Sequence, residues 1–159
     1  MNTTERKFIN ADQEVVPYDG SPLHWRVSAY AFIVKENQLL IAQSAKEKLS
    51  DIIGGGIEMG ESIEEALLRE SMEEAGAKIK LGEFLELKQD WFYHNKGAFY
   101  QTLQLFYRAE LIGELSTVGD PEMIRARFVP FNEVGKDYHL PPIAEKIFFE
   151  KIKNLKKLY

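Results

Sequence analysis

The chain has 159 residues, a formal net charge of −5, three histidines and no cysteine. That length suits one domain with a sizeable core, and the missing thiols exclude disulfides and thiolate metal sites. Without a basic stripe, the negative balance argues against duplex nucleic acid as a partner, and an anionic substrate would need a cation to mediate its approach.

No apolar run approaches a membrane span, and Met1 to Asn10 lacks the apolar core of a signal peptide, so the cytoplasm is the expected location. Residues 1–24 are polar and carry Pro17, Asp19-Gly20 and Pro22. They read as an N-terminal lead-in, either flexible or donating one short strand around Glu14 to Val16. Trp25 to Val34 is apolar on both alternating faces, the pattern of an interior strand. Lys35 to Gln38 turns it into a second strand, Leu39 to Gln43. A charged loop, Ser44 to Asp51, follows, and Ile52-Ile53 leads into Gly54-Gly55-Gly56.

From Glu58 to Glu74 the chain holds seven glutamates and a single base, Arg69. Ser62 with Glu65 three residues on makes a capping box, and Gly76 can take the left-handed conformation that stops a helix. A helix is therefore predicted over Ile63 to Ala75. On a helical wheel, Ile63, Ala66 and Leu67 start one stripe, which Glu70, Glu73 and Glu74 continue. Leu68, Met72 and Ala75 form a second apolar stripe nearly opposite, which predicts a helix packed on both sides. Arg69 lies one turn from both Glu65 and Glu73 and can pair with either, but one guanidinium cannot neutralise the cluster. A solvated acidic face is the plain alternative. A hard divalent cation such as Mg²⁺ fits the carboxylates better, since oxygen ligands suit it and it keeps waters for a phosphate to displace.

Beyond Gly76, Lys78 to Leu81 is short and extended, Phe84 to Tyr93 is a longer strand, and His94 to Gly97 is a turn. Phe99 to Leu111 and Ile124 to Pro130 are further strands, separated by a loop from Gly113 to Pro121. Phe131 to Val134 suits a short helical turn. Pro141-Pro142 opens a last helix with Ile143, Ile147, Phe148, Ile152 and Leu155 at helical spacing. Lysines near its end complement the helix dipole.

The spacing from Gly55 is Gly, five residues, Glu61, seven residues, Arg69-Glu70, two residues, Glu73-Glu74, one residue, Gly76. It resembles the signature of the Nudix hydrolases, departing at Ser71 and Ala77, where bulky aliphatic residues are usual, and at Ile53, where Pro is common. The resemblance implies an α/β/α sandwich with a central mixed sheet and a C-terminal helix, one domain over residues 25–159. It implies hydrolysis of the pyrophosphate bond in a nucleoside diphosphate linked to another group, with Mg²⁺ or Mn²⁺ as cofactor. Carried over residue by residue, it makes Glu70, Glu73, Glu74 and the Gly54 carbonyl metal ligands, with Gly55, Glu61, Arg69 and Gly76 supporting the site. Glu73, Glu74 and Glu122, an acid in the loop before the last strand, are the implied catalytic carboxylates, with Asp120 and Glu58 as further acids nearby. Arg26, Lys46 or Lys48 could contact phosphates, and Trp91 and Tyr93, beside Phe92 and Tyr100, could stack a base. Each has a plain alternative as surface or core. The other functional reading is a non-catalytic Nudix-fold module that binds a nucleotide to sense it or regulate a partner. The complete carboxylate set favours the enzyme, and the edge strands leave room for a homodimer.

Overall fold

The computed structural model describes residues 6–44, 50–94, 96–115 and 124–154. The interior strand is the spine of the sheet: β3, Leu23–Lys35, starts two residues before its predicted beginning. Glu36 and Asn37 adopt positive φ (49° and 69°) and reverse the chain into β4, Gln38–Ser44. Successive left-handed residues of this kind match the twist of a tight hairpin.

Three features of the sheet go beyond the sequence pattern. The glycine run Ile53–Gly56 is itself a strand, β5, paired antiparallel with β3 from Ser28↔Gly56 to Ala31↔Ile53. The two stretches after the glutamate helix merge into one strand, β6, Ile79–His94, with register shifts between Leu81 and Glu86. Gly82 and Glu83 break the alternation there, and a bulge absorbs them. The lead-in contributes the short strand expected around Glu14 to Val16, β2 (Val15–Val16), and a second that was not expected, β1 (Phe8–Ile9), which lies parallel to β6. Phe8 is fully buried, against Tyr18 and Phe99 at ring-centroid distances of 5.3 and 4.9 Å.

With β7 (Ala98–Leu111) and β8 (Ile124–Pro130), the order is β2-β1-β6-β7-β3-β4-β8, with β5 on β3. The sheet is mixed: β3 runs parallel to β7, while β6–β7, β3–β4 and β4–β8 are antiparallel.

Each face carries a helix. The glutamate helix α1, Ile63–Ala75, covers Ala29, Ala31, Ile33 and Ala109 through Leu67 and Ala75. The last helix α2, Pro142–Ile147, continues as a π-helical turn over Phe148–Ile152 and covers Phe32, Phe106, Ile41 and Val129 on the other face. The result is the α/β sandwich expected. Lys151, at the end of that turn, does more than complement a dipole: it donates to the Leu85 carbonyl and pairs with Glu86 at 3.0 Å. Phe131 to Val134 forms hydrogen-bonded turns and no helix. Among the described residues no helix is long and apolar enough to cross a membrane.

Candidate active site

The predicted caps of α1 are present. Ser62 Oγ accepts the Glu65 N–H at 3.2 Å, Glu65 Oε2 accepts the Ser62 N–H at 2.7 Å, and Gly76 sits at φ 57° with its N–H on the Met72 carbonyl. The helix is buried on one side only. Ala66, Leu67, Ser71 and Ala75 face the sheet, whereas Leu68 and Met72 are 41% and 40% exposed, which corrects the expectation of two packed stripes. Apolar periodicity alone cannot distinguish a second core from exposed leucine and methionine. Ser71, where a bulky aliphatic is usual, is fully buried and donates its hydroxyl to the Leu68 carbonyl at 3.0 Å.

The one-sided burial presses the acids of α1 against the glycine strand. A Cβ on Gly55 would stand 2.4 Å from Glu70 Oε1, so the missing side chain is what lets the Glu70 carboxylate lie along the backbone. Gly54 donates its N–H to Glu74 Oε2 at 3.0 Å, fixing a half-buried carboxylate to the same strand. The third acid, Glu73, remains outside, its side chain 60% exposed.

Arg69 is the clamp that holds these pieces together. Its Nε and Nη2 grip Glu61 at 2.7 and 3.1 Å, Nη2 also reaches the Gly56 carbonyl at 3.0 Å, and Nη1 bonds Glu70 at 2.9 Å and Glu73 at 3.4 Å. Glu65, considered as a partner from its spacing, is instead spent on the capping box. Glu61 in turn accepts the Glu58 N–H at 2.9 Å, and these bonds hold its carboxyl below the usual range. A planar fork that ties three carboxylates and a carbonyl is a role lysine cannot fill.

Negative charge is still in excess. Glu74 is pushed up to about 8, first by burial and then by the charges of Glu70, Asp51 and Glu73, against the opposing bond from Gly54. Asp51 was not among the candidates in the sequence, although it stands three residues before Gly54 at the end of the charged loop. Its charge also acts on Tyr30, whose phenol is raised mainly by burial. As they stand, no three acid or imidazole groups among the described residues form a finished ligand set. The donors are nonetheless all hard oxygens, and a partly buried carboxylate cluster short of positive charge fits a divalent cation.

The model of the NUDIX domain matches residues 23–150. The chain belongs to the NUDIX family. Its similarity to the NAD-capped RNA hydrolase NudC of Salmonella agona (strain SL483) is 28% identity over 112 residues, 69% of this chain and 40% of that protein. The chain thus matches well under half the length of this relative. Among solved structures, the MutT NUDIX hydrolase from Burkholderia pseudomallei aligns with TM-score 0.61 and 20% identity over 80% of this chain and 98% of that one. The E. coli ORF135 protein aligns with TM-score 0.59 and 23% identity over 80% and 88%. These likenesses concern the fold.

Within this NUDIX fold the remaining candidates divide. Arg26 comes to the glycine strand: a Cβ on Gly56 would lie 2.8 Å from its Nε. Trp91 and Tyr93 turn to the opposite face of the sheet. There Arg6 lies over the Trp91 ring at 4.5 Å and Tyr93 packs on Phe99 at 4.8 Å. Phe92 and Tyr100 share the face of Arg26, by register with His24. Lys46, Lys48, Asp120 and Glu122 lie outside the described residues.

Proposed function

We propose that the chain is a divalent-metal-dependent hydrolase that cleaves the pyrophosphate bond of a nucleoside diphosphate linked to another group. The observation that carries this reading is the half-buried Glu74, tied to the Gly54 N–H and crowded by Glu70, Asp51 and Glu73. Carboxylates crowded together with a net excess of negative charge cost stability, and a domain that only binds nucleotides has no use for them.

Glu70, Glu73 and Glu74, with the Gly54 carbonyl, would hold Mg²⁺ or Mn²⁺. When bound, the cation supplies charge stabilisation to the transferring phosphoryl group and acidity to a water. The chain's own residues do the rest. Arg69 and Glu61 fix the loop, so that the acids need no reorganisation during reaction. A carboxylate of Glu73, Glu74 or Glu122 accepts the proton of the attacking water. Arg26, at the edge of the glycine strand, binds a phosphate oxygen of the substrate. The name of the NudC relative, which acts on NAD-capped RNA, supports a nucleotide-linked pyrophosphate as the class. The domain proposed to carry this activity is residues 25–159, and the cytoplasm is its proposed location.

The test is a panel of nucleotide sugars, dinucleoside polyphosphates and nucleoside di- and triphosphates, assayed with Mg²⁺, with Mn²⁺ and with chelator. Cleavage of a pyrophosphate bond that stops on chelation is the expected result. Tight nucleotide binding with no cleavage under either metal would replace the enzyme with a sensing or regulatory module.

A further inference from the structure

The face of the sheet that carries Arg26 is covered by α2 only at its Phe32–Phe106 end. Beyond Ser28, the strand registers set three rows side by side. They are Ser28–Gln104–Lys88, Arg26–Thr102–Asp90 and His24–Tyr100–Phe92, each written from β3 across β7 to β6. The row nearest the helix is neutralised, since Lys88 pairs with Glu86 at 2.7 Å. The middle row ends on charges of opposite sign with the small, buried Thr102 between them. Neither Arg26 nor Asp90 makes an ion pair among the described residues.

Asp90 is half-buried, and burial raises its carboxyl above the usual range. Its Oδ1 accepts the Trp91 N–H at 2.9 Å, which orients the group and leaves Oδ2 without a protein donor in the described residues. A half-buried carboxylate oxygen in that position costs free energy unless something else bonds it. The last row is aromatic, with His24 and Tyr100 at 5.3 Å and tilted by 35°. Arg26 stands against Gly56, and Asp90 lies two strand spacings away, about 10 Å. A nucleotide bound with its phosphates at the glycine strand would reach the far rows with its base.

We propose that Asp90 is a specificity-determining residue: it accepts a hydrogen bond from the 6-amino group of an adenine or the 4-amino group of a cytosine that stacks along the His24–Tyr100–Phe92 row, which selects these nucleotides over those with a carbonyl at that position. This assignment rests on the hydrolase reading for the phosphate end of the substrate, but its own evidence is the far side of the sheet. Adenine at position 6 and cytosine at position 4 offer an amine where guanine, hypoxanthine and uracil offer a carbonyl, and a carboxylate oxygen bonds the first and repels the second.

The experiment measures binding of the 5′-monophosphate pairs AMP/IMP and CMP/UMP by calorimetry, and cleavage of the diphosphate-linked forms of the same nucleosides, on the native chain and on Asp90→Asn. Asparagine keeps the oxygen that accepts the Trp91 N–H and turns an amide N–H₂ toward the base, so the fold is retained and the preference is reversed. The expected result is at least tenfold tighter binding of AMP over IMP and CMP over UMP, lost or inverted in Asp90→Asn, with the change in cleavage carried by KM and kcat on the preferred base altered less than about twofold. Equal binding within each pair, or the same ratios in both proteins, would overturn the assignment. Absence of cleavage with the binding ratios as expected would remove the hydrolase reading and leave the base site standing.

Discussion

Replacing Glu74 with Gln is expected to lower turnover by about 10³-fold, the scale on which loss of one preorganised charged or proton-accepting group acts. Glutamine keeps an oxygen for the Gly54 N–H, so the strand and helix stay in place while the charge goes. The same variant should be more stable than the native chain at neutral pH without metal, because burial and the charges of Glu70, Asp51 and Glu73 make folding of the native chain take up a proton on Glu74, a cost that glutamine does not carry. The pH dependence carries the sign. Folded Glu74 titrates at about 8, above its ordinary value of 4.5, so between these values the folded state holds a proton that the unfolded chain has released. Stability of the metal-free chain therefore falls as pH rises through that window, by something on the order of a few kcal/mol, and the fall is complete above the folded value. Denaturant unfolding at a series of pH values should show that slope in the native chain and a flatter one in Glu74→Gln. Equal slopes would mean that Glu74 is not the strained group.

Gly54→Ala should cost about 3 kcal/mol or more, a loss at the upper end for one substitution. Gly54 sits at φ 146°, where side chains are strained, and an added Cβ would stand 2.2 Å from the Ala29 carbonyl and 2.7 Å from Tyr30 Cα. Both obstacles are backbone of the central strand β3, so no rotamer relieves them. Gly60→Ala is the control. It also has positive φ (94°) but open space around it, so it carries conformational strain alone, about 1 kcal/mol. Denaturant midpoints of the two variants separate the clash from the strain. Similar losses in both would mean that β5 can move off β3 without penalty.

The glutamate helix was legible in the sequence because its signals are local: a capping box, a glycine stop and a fixed acid spacing act within a turn or two. The box glycines were legible as a close-approach loop but not as a strand, since glycine is depleted in strands and the pairing of Ile53–Gly56 is supplied by β3. A two-residue strand such as β1 carries no periodicity to detect; the Val15-Val16 pair was legible only as one option for the lead-in, and its docking shows in the buried Phe8 and its contacts with Tyr18 and Phe99. Arg69 illustrates a different limit. Its helical neighbours could be counted from spacing, but its strongest partner, Glu61, lies before the helix and is reached only once the loop has folded back. The aromatic cluster from Trp91 to Tyr100 shows the same limit across a sheet. Alternation separates Trp91 and Tyr93 from Phe92, but which face meets Arg26 depends on β7 joining β6 to β3, and that pairing is a property of the whole fold.

The most direct measurement is Mn²⁺ binding at neutral pH, read from the free-ion paramagnetic resonance signal, on the native chain, Glu70→Gln and Glu74→Gln. Binding to the native chain with at least tenfold weaker affinity in each variant is the expected result, because both carboxylates lie on the glycine strand where the cation is proposed to sit. Equal affinity in all three proteins, or no binding to the native chain, would contradict a metal-dependent site built on these acids.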